Sequence, residues 1–209
     1  MYPVFLNLNG KNCLVVGGGK VAERKVKSLL KSGAKVTVVS PEVTPDIQEL
    51  FQTNQIERIA EKYSTAQIEN RFLVVCSTDV SSVNEQVSRD AEERNILVNI
   101  VDKPELCSYY VPSHLQSGDL SIAISTNGKS PALAKRVRLQ LEESFGSEYG
   151  ELLEILGQKR EELMELSSDS EKRGNVLRKI VNSDILEVLK QKGRDEAEAS
   201  ADGIIKESL

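Results

Sequence analysis

The stretch Gly17-Gly18-Gly19-Lys20-Val21-Ala22 fits the pattern G-x-G-x-x-A. It follows the apolar run Asn12–Val16 and opens an amphipathic segment, and this strand–turn–helix setting is what gives the pattern its chemical meaning. Gly17 permits a tight turn, Gly19 lets the main chain approach a pyrophosphate, and Ala22 allows close helix–strand packing. The helix that follows then turns free amides and the positive end of its dipole toward phosphate oxygens. The chemistry implied is dinucleotide binding; the bland reading of the same glycines is a turn with no ligand.

An acid at the end of the second strand normally holds the ribose hydroxyls of such a cofactor. Ser40 occupies that place here, followed by Pro41-Glu42, which leaves either Glu42 or the Ser40–Glu42 backbone for the ribose. No arginine stands in that turn to meet a 2′-phosphate, which favours NAD over NADP. Ser77, Thr78 and Asp79 follow a later apolar run, Phe72–Cys76, and fall on the same carboxyl edge of a parallel sheet, where cofactors lie.

Asp102 stands just past the run Leu97–Val101, on that edge. A carboxylate there is placed to act as a general base or to polarise a substrate nitrogen; capping a surface turn is the equal alternative. His114 is the only histidine, and a lone histidine is more often structural or solvated than catalytic. No His/Cys/acid cluster has metal-ligand spacing, so no metal is expected. Lys129, Lys135, Arg136 and Arg138 surround the start of a helix over Ala132–Phe145, with Ser130 as its cap and Pro131 in its first turn. Cations at a helix N-terminus are unfavourable unless an anion joins them, which points to a carboxylate-rich ligand; a solvated basic face is the alternative.

The elements needed to position these groups are legible as alternating short apolar runs and amphipathic stretches, the mark of βαβ units and a parallel sheet. Strands are expected at Asn12–Val16, Lys35–Val39, Glu57–Ala60, Phe72–Cys76 and Leu97–Val101, and helices at Val21–Ser32, Thr44–Thr53 and Ser82–Arg94. After Pro104 strands are expected at Ser108–Val111 and Leu120–Ser125, with Gly118-Asp119 as a turn. From Ser147 the chain is charged and helical, with three helices around Leu152–Leu156, Val176–Val181 and Ile185–Leu189; the polar tail Arg194–Asp202 reads as disordered. The fold class is therefore α/β. An N-terminal Rossmann-type parallel sheet (1–113) precedes a small dimerisation segment (114–146) and a C-terminal helical domain (147–209).

Composition narrows the function. Of 209 residues, 39% are apolar and only 4% aromatic, so the core must rest on Val, Ile, Leu and Ala. A net charge of −5 argues against nucleic-acid partners, which call for a basic stripe. Cys13, Cys76 and Cys107 are far apart, fitting neither a disulfide framework nor a zinc cluster, and Cys13 and Cys76 read as buried thiols. No charged leader and no long apolar span are visible, so a cytoplasmic protein without membrane contact is expected.

Four segments carry a resemblance. Val15–Lys25 (VVGGGKVAERK) resembles the opening of precorrin-2 dehydrogenase, the N-terminal module of siroheme synthase. The likeness continues through Asn99-Ile100-Val101-Asp102, Tyr110-Val111-Pro112-Ser113 and Ser125–Ala134, covering about residues 1–145. It implies NAD-dependent oxidation of precorrin-2 to sirohydrochlorin in siroheme synthesis, by a homodimer joined through the segment after the Rossmann domain. It maps an essential aspartate onto Asp102 and NAD contacts onto Lys20-Val21 and Pro41-Glu42. Ser113, His114, Asn127, Lys129, Ser130, Lys135 and Arg136 become the candidate contacts for the carboxylates of the tetrapyrrole. Some members of the family also insert iron, so a bifunctional dehydrogenase and ferrochelatase is one rival; a non-catalytic NAD-sensing module is the other.

Overall fold

The computed structural model describes all residues, 1–209, which fall into two compact units, Met1–Val111 and Pro112–Leu209. The first unit is built on five parallel strands, β1 (Asn12–Val16), β2 (Lys35–Val39), β3 (Glu57–Ile59), β4 (Leu73–Cys76) and β5 (Leu97–Ile100), in the order β3-β2-β1-β4-β5. The order reverses between β1 and β4, so the crevice beyond their carboxyl ends is the topological place for a ligand. Val, Leu and Cys fill β1, β2 and β4 because both faces of a parallel sheet are covered by helices.

Alternation along the strands divides the core. Cys13, Val15, Val36, Val38 and Val75 face one side, packed by Ala22, Val26 and Leu29 of α1 (Lys20–Lys31) and by Ile47 of α2 (Pro45–Gln52). Leu14, Val16, Val39, Val74 and Ile100 face the other, against Val87 and Ala91 of α3 (Ser81–Glu93). Burial pushes the Cys13 thiol up to about 11 and the Cys76 thiol up to about 12, so both are neutral, inert packing groups. The one polar side chain buried in β2, Thr37, is satisfied: its hydroxyl donates to Glu57 at 3.0 Å and accepts from Arg71 at 2.8 Å.

The second unit begins with a hairpin, β6 (Ser113–Ser117) and β7 (Leu120–Ile124), turning at Gly118-Asp119, followed by α4 (Pro131–Ser144). Four more helices, α5 (Ser147–Leu166), α6 (Ser170–Val181), α7 (Ile185–Lys192) and α8 (Arg194–Ser208), enclose a core of Ile155, Leu163, Val176, Ile180, Ile185, Leu189, Ala197, Ala201 and Ile205. The nearly buried amine of Lys159 on α5 is paired with Asp202 on α8 at 2.6 Å and with Glu162 at 3.1 Å. No helix is long and apolar enough to cross a membrane.

Two sequence expectations are corrected. Ser108–Val111 is not a strand: only Ser108 pairs with the edge strand β5, exchanging bonds with Val98, and Pro112, which has no N–H, follows at once. The tail from Arg194 is not disordered but is α8. Ala197, Ala201 and Ile205 recur every fourth residue and form a narrow buried stripe, which small side chains make hard to see in a polar sequence. The strand β6 (Ser113–Ser117) was not expected, and α5 and α6 run well beyond the apolar stretches that marked them; the five sheet strands, β7 and α1 to α4 agree with the expected ones to within a residue or two.

Ile180 is fully buried at the centre of the helical unit. Ile180→Ala is expected to cost about 2–5 kcal/mol of that unit's stability, measured by urea denaturation followed by circular dichroism, through lost transfer energy and the cavity left behind.

Candidate cofactor and substrate site

The glycine loop joins β1 to α1 under close main-chain packing. Gly17 has φ +119°, and a Cβ there would stand 2.6 Å from the Ser77 carbonyl oxygen, so only glycine fits. At Gly18 a Cβ would be 1.9 Å from the Glu42 carbonyl oxygen, while the Gly18 carbonyl accepts from Thr44 N–H at 2.9 Å. Nothing lies within 4 Å of a Cβ built on Gly19. Two of the three glycines are thus required by the protein's own backbone, and the third leaves an open approach.

Gly19 is the N-cap of α1, and no side chain caps this end. The first-turn amides, those of Lys20, Val21 and Ala22, have no intrahelical acceptor. The Lys20 side chain is already held by Glu23 at 2.9 Å, and Lys27 joins the same carboxylate at 3.0 Å. Lys20 first, then Lys27, hold the Glu23 carboxyl at about 2, well below the usual carboxylate range. What Lys20 and Val21 offer a phosphate is therefore main-chain N–H.

At the end of β2, the Ser40 hydroxyl donates to the Glu42 carbonyl at 2.6 Å, and the Glu42 carboxylate is exposed. Arg58, from the neighbouring strand β3, donates to the Pro41 carbonyl at 2.8 Å and to Gln48 of α2 at 2.6 Å. The sequence shows no arginine in this turn because the one that reaches it lies seventeen residues on, in the next strand.

At the end of β4, Ser77 N–H donates to Val16 at 2.8 Å, and its hydroxyl is buried without a partner. The buried Asn84 of α3 holds the loop, donating to the Thr78 carbonyl at 3.0 Å and lying 3.1 Å from the Cys76 thiol. Asp79 is exposed. At the end of β5, Asp102 is exposed with φ +60° at the tip of a tight turn. Cys107 closes that turn from within, its sulfur accepting from Ile100 N–H at 3.2 Å and lying 3.2 Å from the Ile100 and Lys103 carbonyls. Asn99 adds a bond to the Tyr109 carbonyl at 3.1 Å. Cys107 faces the protein, not the crevice.

One carboxyl edge thus gathers Gly17, Gly19, Lys20, Val21, Pro41, Glu42, Ser77, Thr78, Asp79 and Asp102. Uncapped amides, an open glycine and an unpartnered buried hydroxyl at the switch point fit a dinucleotide with its pyrophosphate at the α1 N-terminus.

The remaining candidates belong to the second unit. Ser113 is half-buried and His114 exposed on β6. Thr126–Lys129 form a turn, Asn127 at φ +52°, closed by Lys129 N–H to Thr126 at 3.0 Å. The Ser130 hydroxyl caps α4, accepting from Leu133 N–H at 3.2 Å. Lys129, Lys135 and Arg136 are exposed and without a carboxylate within 4 Å, whereas Arg138 is neutralised by Glu142.

Gly18→Ala is expected to destabilise the first unit by about 1–3 kcal/mol, because two main-chain segments must part. Gly19→Ala is expected to leave stability within about 1 kcal/mol of the parent while weakening NAD+ binding. Thermal melts paired with NAD+ titrations separate the two effects.

The chain is similar to several known proteins. Residues 4–113 match the family described as "Putative NAD(P)-binding", and residues 117–144 match that described as sirohaem biosynthesis protein central. A siroheme synthase of Methylobacillus flagellatus is 41% identical over 171 residues, covering 82% of this chain and 37% of that protein. One from Thioalkalivibrio sulfidiphilus is 37% identical over 196 residues, covering 94% and 40% respectively. The chain thus spans about two-fifths of the length of these curated relatives. A solved structure of SirC, a precorrin-2 dehydrogenase, superposes with a TM-score of 0.81 at 29% identity, covering 97% of this chain and 100% of that one. With more than half of its length matched by that first family model, the chain belongs to the family described as "Putative NAD(P)-binding".

Proposed function

We propose that this protein oxidises precorrin-2 to sirohydrochlorin with NAD+ in siroheme biosynthesis. What carries the reading is the likeness to SirC along the whole chain, joined to a carboxyl edge equipped for a dinucleotide. The balance is that of a dehydrogenation: the reduced tetrapyrrole gives up two electrons and two hydrogens, one leaving as hydride and the other as a proton. When bound, NAD+ supplies the hydride acceptor.

The chain's own residues do the rest. The amides of Lys20 and Val21 would hold the cofactor's pyrophosphate, the Pro41-Glu42 segment would meet its adenosine ribose, and Ser77, Thr78 and Asp79 would line the edge beyond β4. Asp102 takes the proton or orients the ring nitrogen. Its positive φ sets the carboxylate at the tip of a turn that Cys107 keeps from opening. Lys129, Lys135 and Arg136, exposed around the start of α4 and free of carboxylates, hold substrate carboxylates together with Ser113, His114, Asn127 and Ser130. The working form is a cytoplasmic homodimer, supported by the exposed apolar side chains Leu133 and Leu139 on α4.

Asp102→Asn is expected to lower kcat by about 10²–10⁴-fold, the usual worth of a general base, with NAD+ affinity kept within about twofold. Anaerobic assays with precorrin-2 and NAD+, following NADH and the tetrapyrrole spectrum together, test both points. Full NADH production by Asp102→Ala would remove the aspartate from the mechanism. A parent protein that binds NAD+ but forms no NADH with authentic precorrin-2 would overturn the dehydrogenase reading.

A further inference from the structure

We propose that Arg58 is the positioning residue for the adenosine-ribose end of the cofactor site, a step that rests on the dinucleotide reading above. Where an acid ordinarily ends the second strand, Ser40 stands instead, and its hydroxyl hydrogen is spent on the Glu42 carbonyl at 2.6 Å. The ribose must then be met by something other than the side chain at that position.

Arg58 lies opposite Val38 in the β2–β3 register, on the face of the sheet that α2 covers. From there its guanidinium makes two contacts in different elements, with Gln48 of α2 at 2.6 Å and with the Pro41 carbonyl at 2.8 Å. No carboxylate neutralises it within 4 Å, and its Nε is buried with no partner. A brace between β3 and α2 alone would need only the Gln48 bond. The bond to Pro41 does something further: it fixes the orientation of a peptide plane.

The Pro41–Glu42 peptide is planar and trans, so its C=O and N–H point opposite ways. With the carbonyl turned toward Arg58, the Glu42 N–H is turned away from it, and that N–H finds no acceptor in the protein. The Glu42 carbonyl is meanwhile occupied by Ser40, and the next segment is pinned to the glycine loop through Thr44 N–H and the Gly18 carbonyl at 2.9 Å. The loop therefore offers an oriented main-chain donor where a related site would offer a carboxylate acceptor. A ribose hydroxyl oxygen accepts a hydrogen bond as readily as its hydrogen donates one, so the donor serves the same sugar. Remove the guanidinium, and the peptide is free to rotate and lose the alignment.

The test compares Arg58→Met, which keeps the apolar stem, and Arg58→Lys, which keeps a donor, with the parent chain. Calorimetric titration with NAD+ and with ADP-ribose, which binds but is not turned over, is read alongside steady-state kinetics. Arg58→Met is expected to raise Kd for both ligands and KM for NAD+ about tenfold, the worth of one well-aligned hydrogen bond, with kcat within about twofold. Arg58→Lys is expected to return Kd to within about threefold of the parent. Should the Met variant fail to fold, Arg58→Gln, which keeps a polar tip, carries the same tenfold expectation. Unchanged Kd values, or a kcat loss at unchanged KM, would show that Arg58 only braces the fold. A parent chain that bound neither NAD+ nor ADP-ribose would instead bring down the dinucleotide reading, and this inference with it.

Discussion

Everything at the candidate site depends on one main-chain contact: the approach of the Glu42 carbonyl to Gly18, so close that an added Cβ would lie 1.9 Å from it. Together with the Thr44 N–H bond to the Gly18 carbonyl, it locks the loop after β1 to the loop after β2. The two loops proposed to meet the phosphate and the ribose are therefore one rigid piece of backbone. Packing two peptide segments this tightly is possible only without side chains, and it fixes the spacing between the α1 amides and the Pro41-Glu42 peptide without any ligand.

The same economy recurs along the carboxyl edge. Each loop that bears a candidate group is held from behind by a residue that does not face the ligand. Asn84 ties the Thr78 carbonyl to the Cys76 thiol, and Cys107 closes the turn that presents Asp102. Arg58 holds the Pro41 carbonyl. In each case a backbone carbonyl is engaged inside, so the exposed face of the loop keeps its orientation. Cys13 and Cys76, by contrast, are neutral packing groups whose thiols burial has pushed far from reactivity.

Much of this was legible in the sequence. The glycine pattern after an apolar run located the loop between β1 and α1, and short apolar runs located all five strands of the parallel sheet. The Ser130-Pro131 pair located the start of α4, where the hydroxyl does cap the helix. The strand β6 and the helix α8 escaped, and one expected strand is absent. The stretch after Asp102 looks like a strand because Tyr109, Tyr110 and Val111 suit one, yet pairing needs a partner's free edge and Pro112 ends it. The helix α8 was hidden because its buried stripe is Ala197, Ala201 and Ile205, whose small side chains leave the segment polar on average while α5, α6 and α7 supply the rest of the apolar surface.

The sequence by itself determined the class of the protein: a parallel α/β sheet with a dinucleotide loop, an aspartate at the end of the fifth strand and a cationic helix start. These are local facts, since periodicity, turn chemistry and capping act within a few residues of one another. Only the tertiary structure decided which residues hold the Pro41-Glu42 turn, the proposed place of the ribose. Seventeen residues separate Arg58 from the Pro41 carbonyl it holds, and twenty-four separate Gly18 from the carbonyl that crowds it. Strand pairing makes neighbours of such residues, and no short-range pattern records it.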